Sequence, residues 1–265
     1  MSRQPLLAAL GERVVARFLE FNRRASAAIA RRWPYRGTRI FDIYTEVVVH
    51  YANALTEPVI GDVGAGGESH FAARLRPDAR LIGVDVSSAE LARNRWLLER
   101  RVADVTAELP FTEQELDLMV SRAVLEHLRD VPAFMHRSRL ALRPGGHAIH
   151  LFSTPVAPFA LANRMLPPVA ARRLLYRLHP DAVGTQGFPA YYDRCSHAAI
   201  LAATRDAGLE VCSVRVSYRT SQYFDFFAPL FVLSRGYEEL LARLDLRRLA
   251  SYVLLVCRRP PEEAR

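Results

Sequence analysis

Asp62, Gly64, Gly66, Asp85, Asp104 and His127 are the residues whose types and positions can handle a charged nucleoside. In VIGDVGAGG, Asp62 precedes a turn in which Gly64 and Gly66 flank Ala65, and glycines there let the main chain come close to a ligand. A dinucleotide site wants glycines at the first, third and sixth positions, with the pyrophosphate on a helix N-terminus. Counted from Gly64, the sixth position is Ser69, and Glu68 comes just before it. A carboxylate in a first helical turn gains about 0.3 to 1 kcal/mol from the helix dipole, but it repels a diphosphate. The turn therefore suits a ligand that has no phosphate and carries positive charge, which Asp62 favours. Asp85, closing RLIGVDV, can accept both ribose hydroxyls, and Asp104 with Val105 in RVADV can take an adenine amino group and ring.

These residues need strands to hold them. From Pro58 the chain alternates short apolar runs (VIGDVG, RLIGVDV, RVADV, LDLMVS, GGHAIHLFS) with helical patterns, as βα units of a parallel sheet do. Ser87 and Glu90 stand at capping-box spacing before a helix carrying Leu91 and Leu97. Pro132 to Leu142 reads as a helix stopped by Arg143-Pro144-Gly145-Gly146. Before the sheet, residues 5–32 and 40–55 have apolar residues at helical spacing and form an N-terminal helical cap over residues 1–57. The main domain spans 58–259, with inserts at about 156–195 and 219–247. Helical pieces are expected at 159–166 and 169–178, Ser196 caps a helix through Ala207, and residues 223–247 form a helix interrupted at Pro229.

In order, DVGAG, GVDVS, ADVTAELPF, LDLMVSRAVLEHL and LRPGGHAIHLF make the stretch from Pro58 to Pro155 resemble the class I S-adenosylmethionine-dependent methyltransferases. The resemblance implies a Rossmann-like, doubly wound α/β fold. Its sheet is seven-stranded and mostly parallel, with an antiparallel last strand, and residues 209–217 and 249–258 supply the final pair. It implies S-adenosylmethionine as cofactor, held by Asp62, Gly64, Ala65, Gly66, Asp85, Val86, Asp104, Val105 and Ser121. Glu68 in place of a third glycine and a short second connection depart from the family pattern. Methyl transfer needs alignment above all; for a hydroxyl acceptor a positioned base adds about 10² to 10⁴ in rate. His127 in LEHL is the candidate base, with a helix-orienting role as its alternative. His150 reads as packed within the fifth strand, and His179 has no assigned role.

The formal charge is +8, carried by arginine alone with no lysine, and spread along the chain without interleaved aromatics. That pattern argues against a nucleic-acid footprint. The aromatic inserts, Tyr191-Tyr192 and Tyr223 to Phe227, point instead to a mid-sized, partly apolar acceptor, and the expected reaction is methyl transfer to a small or lipid-like molecule at oxygen. Residues 1–32, amphipathic and rich in arginine, can also make peripheral membrane contact. Cys195, Cys212 and Cys257 lie far apart with no metal-ligand spacing, which suggests no metal and buried, reduced thiols in a cytoplasmic protein. No apolar run approaches the roughly 20 residues that cross a bilayer, and Glu12 and Glu20 argue against a cleaved signal. Oligomeric state is left open. A non-catalytic nucleoside-binding protein on the same fold and a nicotinamide-dependent oxidoreductase are the competing expectations.

Overall fold

The computed structural model describes residues 4–105, 107–178 and 189–261. Among them one sheet is built from β1 (Val59–Val63), β2 (Arg80–Asp85), β3 (Glu99–Val102), β4 (Leu116–Arg122), β5 (Leu142–Ser153), β6 (Glu210–Ser217) and β7 (Tyr252–Arg258). The strand order is β3-β2-β1-β4-β5-β7-β6. Strands β1 to β5 pair in parallel, and β7 runs antiparallel to both of its neighbours. The order reverses between β1 and β4, and the crevice beyond their carboxyl ends is where open sheets receive ligands.

The helices are α1 (Gln4–Arg32), α2 (Ile40–Asn53), α3 (Ser88–Arg93), α4 (Val131–Ala141), α5 (Pro158–Arg164), α6 (Pro168–Leu178), α7 (His197–Asp206) and α8 (Ala228–Arg243). Because strands buried on both faces need cover on both, the apolar residues divide by parity. Val63, Val84, Met119 and Ala148 face a core shared with Phe134, Met135 and Ile200 of α4 and α7. Ile60, Leu81, Leu118, Ile149 and Leu254 face the other core. That second core is closed by α2, whose Ile40, Tyr44, Val48 and Ala52 recur every fourth residue and are buried. The helix is therefore part of the core and lies over β4, β5, β6 and β7.

Helix α1 lies against the start of α8. Asn22 Oδ1 accepts from Ala228 N at 3.0 Å, and Ser26 Oγ donates to the Asp225 carbonyl at 2.9 Å. After α1 the chain is gripped again. Glu238, fully buried, accepts from the main-chain N–H groups of Thr220 and Ser221 and from Arg235 Nη1 at 3.0 Å, while Arg235 Nη2 donates to the Trp33 carbonyl at 3.0 Å.

Several elements differ from the sequence reading. No α-helix follows the glycine turn, where a single 3-10 turn, Ala72–Arg74, is present. The main chain there closes in short i to i+3 steps, Ala72 N to the Ser69 carbonyl and Leu75 N to the Ala72 carbonyl, before Pro77. Glu68 is thus in no first helical turn, and the dipole argument made for it fails. Helix α3 ends before Leu97 because Asn94 leaves the helical path, and Leu97 packs over Gly83 instead, where an added Cβ would lie 2.4 Å from its Cδ1. Ser87 Oγ accepts from Glu90 N at 3.2 Å, but Glu90 pairs with Arg93 and does not complete a capping box. Strand β3 ends at Val102, leaving Asp104 and Val105 in the following turn. Pro229 does not interrupt a helix; it occupies the first turn of α8, where its missing N–H costs nothing. Cys195 and Cys257 are buried, whereas Cys212 is exposed, because it sits on the outer strand β6. Among the described residues no helix is long and apolar enough to cross a membrane.

Candidate functional site

The last residues of β1 and β2 build the first half of the crevice. Asp62 is 5% exposed, and its Oδ2 accepts from Ser69 Oγ at 2.6 Å. Burial pushes its pKa up to about 7, with the Ser69 bond opposing, the Asp85 charge adding to the rise and Arg122 opposing it. A carboxylate so placed is ionised at least cost when a cation comes beside it. The turn that follows is pinned to β2, since Gly64 N and Ala65 N both donate to the Val84 carbonyl, at 2.8 and 3.1 Å. Gly64 has φ +71°, and a Cβ there would lie 2.4 Å from Val124 Cγ2; Gly66, at φ +50°, faces open space. Asp85 accepts from Gly66 N at 3.1 Å through Oδ2 and from Ser87 N at 2.9 Å through Oδ1, so this acid shapes the turn.

Asp62, Gly64, Ala65, Gly66 and Asp85 thus come together. Val86 is on the rim, 59% exposed. Asp104 is exposed, its carbonyl accepting from Ala107 N and Glu108 N, while Val105 is buried in the first core. Ser121 lies beneath the crevice, fully buried, with Oγ 2.8 Å from His150 Nδ1. Sequence reasoning missed Asn94, whose Nδ2 donates to Ser69 Oγ at 3.0 Å and to the carbonyls of Ala65 and Gly66 at 3.4 Å. No local pattern marks it, because its partners come from another loop.

Residues 61–150 match the family model described as a methyltransferase domain. Those residues carry a methyltransferase domain. The domain is similar to part of the arginine-hydroxylase NDUFAF5, mitochondrial, of Danio rerio, 33% identical over 115 residues that make up 42% of this chain and 33% of that protein. The chain therefore spans about a third of the length of that relative. Its fold is shared with an S-adenosylmethionine-dependent methyltransferase from Mesorhizobium loti, at 18% identity, TM-score 0.53, and coverage of 81% of this chain and 95% of that one. It is shared likewise with the geranyl diphosphate C-methyltransferase of Streptomyces coelicolor A3(2), solved with S-adenosyl-L-homocysteine, at 14% identity, TM-score 0.52, and coverage of 83% and 81%. The methyltransferase domain takes S-adenosylmethionine as its cofactor, and the residues here fit it. Gly66 at positive φ leaves open space in which a ligand can approach the main chain, Asp62 is a buried acid whose ionisation a nearby cation would favour, and Asp85 is a carboxylate at the end of β2.

The second half of the crevice lies beyond β4, β5 and β7. Arg122 ends β4 with its guanidinium 5.1 Å from the Phe41 ring. A 3-10 turn, Leu125–His127, follows. His127 Nδ1 is 2.8 Å from the Pro189 carbonyl, which can only accept, so Nδ1 carries the proton and Nε2 is the basic nitrogen of the neutral ring. Glu126 turns inward, its Oε1 accepting from Ser153 Oγ at 2.8 Å, and its main-chain carbonyl accepts from Tyr191 N and Tyr192 N. Tyr223 and Tyr252 share a hydrogen bond of 2.7 Å, and Phe159 stacks beside both. Tyr191 is half exposed under the Arg129 guanidinium, and Phe227 packs on Phe18 of α1. His179 lies outside the described residues. Glu126 was given no role in the sequence reading; the signal available was an acid beside His127, with apolar residues Val124, Leu125 and Leu128 around the pair.

Proposed function

We propose that the chain transfers a methyl group from S-adenosylmethionine to a small or lipid-like acceptor, at oxygen. The observation that carries this reading is the buried Asp62, raised to about 7, beside a glycine turn that no α-helix follows. A diphosphate would find no helix N-terminus there to bind, whereas a sulfonium or ammonium would find a carboxylate that gains by ionising. The same observation counts against a nicotinamide-dependent oxidoreductase. When bound, the cofactor supplies an already activated methyl group; the chain's residues align the acceptor and manage its proton. Two groups on the turn after β4 can take that proton, His127 through Nε2 and Glu126 through its carboxylate. The aromatic side chains Phe159, Tyr192, Tyr223 and Tyr252 favour an acceptor with an apolar body.

Calorimetry with S-adenosylmethionine and S-adenosylhomocysteine tests the reading: binding of both to the purified chain is expected, and binding of neither overturns it. Val14, Phe18 and Phe21 of α1 are exposed among arginines, which supports peripheral contact of residues 1–32 with an anionic membrane. Flotation with anionic liposomes, lost on deletion of those residues, is the expected result. Unpaired cysteines support action in a reducing compartment, the cytoplasm.

A further inference from the structure

Glu126 is 5% exposed, and its two oxygens are treated differently. Oε1 accepts from Ser153 N at 3.1 Å and from Ser153 Oγ at 2.8 Å. Oε2 is buried and has no partner among the described residues. A carboxylate needs donors at both oxygens and a carboxylic acid needs a place for its proton, so in either state the unmatched Oε2 is unfavourable. A buried polar atom left without a partner calls for an explanation, and a ligand group that donates to it supplies one.

The groups that bond to it or act on it electrostatically come from several elements. His127 comes from its own turn, Ser153 from β5, Tyr192 and Cys195 from the segment before α7, Tyr223 from the 3-10 turn before α8, and Tyr252 from β7. Tyr192 Oη lies 3.5 Å from Ser153 Oγ. Burial raises Tyr192 to about 12 and lifts Tyr223 and Tyr252 as well, so these phenols stay protonated and can donate. Burial also raises Glu126 itself, against the opposing charge of His127. An incoming oxygen suits this set better than an amine. Oxygen has two lone pairs, one to accept from a tyrosine and one to attack, whereas a neutral amine has a single pair that the attack consumes.

We propose that the acceptor is an alcohol or phenol whose O–H donates to Glu126 Oε2, and that Glu126 takes the proton as the oxygen is methylated. The proposal rests on the methyl-transfer reading above. The acceptor O–H bond breaks and its proton bonds to Oε2. The oxygen's electron pair forms the new O–CH₃ bond, and the S–CH₃ bond breaks with its electrons staying on sulfur. The sulfonium charge and the carboxylate charge disappear together, leaving a thioether, an ether and a carboxylic acid. His127, bonded to the Pro189 carbonyl, then positions the segment that carries Tyr191 and Tyr192 beside Glu126.

The test uses the purified chain saturated with S-adenosylhomocysteine, with 4-nitrophenol, benzyl alcohol and 1-octanol as hydroxyl probes and benzylamine as the amine control. At least one hydroxyl probe binds the wild type, and infrared difference spectra show the Glu126 carboxyl band changing on binding. In Glu126→Gln, S-adenosylhomocysteine binds as in the wild type, the infrared change is absent, and the probe binds at least about 10-fold weaker. Methyl transfer to that probe falls about 10²-fold or more, and its dependence on pH is lost. Equal probe binding in Glu126→Gln, benzylamine bound in preference to every hydroxyl probe, or no hydroxyl probe bound by a wild type that does bind S-adenosylhomocysteine overturns the proposal. Should Glu126→Gln unfold, Tyr192→Phe replaces it: weaker probe binding at an unchanged thermal midpoint supports the proposal, and unchanged binding overturns it. Should S-adenosylhomocysteine fail to bind the wild type, the cofactor reading falls by itself, and probe binding with its infrared change decides the acceptor proposal alone.

Discussion

The two sides of the crevice treat their acids in opposite ways. On the β1–β2 side both oxygens of Asp85 are held by main-chain N–H groups and Asp62 is held by Ser69. Beyond β4 the carboxyl of Glu126 is satisfied at one oxygen only, and its neighbours are tyrosines contributed by segments far apart in the chain. The match to the methyltransferase domain model ends at residue 150, before Ser153, Tyr192, Tyr223 and Tyr252. The lesson is a division of labour. On the proposed reading, loop main chain set by glycines and strand ends builds the half for a common cofactor, and side chains from the inserts build the half for one acceptor.

The largest effect should follow from attacking the pre-satisfied half. Asp85→Ala removes the acceptor for two ribose hydroxyls, each charge-assisted bond being worth about 1.5 to 3 kcal/mol, so affinity for S-adenosylhomocysteine should fall by at least about 10² in calorimetry. Unchanged affinity would mean that the nucleoside lies elsewhere.

Next come two buried groups with opposite linkage. Asp62 has its pKa raised from 3.8 to about 7, so its contribution to stability is present below about pH 4 and lost as pH rises through 7. His150 is lowered from 6.5 to about 4 by burial, so its contribution is present above pH 6.5 and lost as pH falls through 4. The two slopes oppose each other between pH 4 and 6.5. In urea unfolding Asp62→Asn should leave stability rising with pH across that window, and His150→Gln should leave it falling, each by up to about 3 kcal/mol. Parallel slopes in the two variants would contradict the assignment.

A smaller loss, about 1 to 3 kcal/mol, is expected of Gly64→Ala. The new methyl meets the stiff β-branched Val124 at a positive φ, a cost visible in the urea midpoint of the cofactor-free protein. The least effect should come from outside the crevice altogether. Glu20→Gln breaks an exposed i,i+4 pair with Arg24 and should change stability by less than about 0.5 kcal/mol.

Much of the first half was legible in the sequence. Apolar runs of strand length and glycines where the chain must turn are local properties, and Asp62 and Asp85 announce themselves by closing such runs. What was not legible depends on distant partners. The loss of a helix after Gly67 goes with Ser69 reaching back to Asp62 and with Asn94 binding the same turn from the next connection. The early stop of α3 has the same origin, since Asn94 serves the turn and not its own helix. Ser121 fits the pattern of a strand-end ligand residue, yet its hydroxyl is taken by His150 from the neighbouring strand. Glu126 bonds to Ser153, 27 residues on, and periodicity carries no sign of that.

The grip of Glu238 and Arg235 on Thr220, Ser221 and the Trp33 carbonyl fastens the exit of α1 to the segment before α8 in one buckle. The strap it closes carries Tyr223, so the wall of the acceptor side hangs from the same clasp that anchors the end of α1. Tension or binding at the amino-terminal arm would therefore be felt at a tyrosine almost two hundred positions downstream, without passing through the glycine turn.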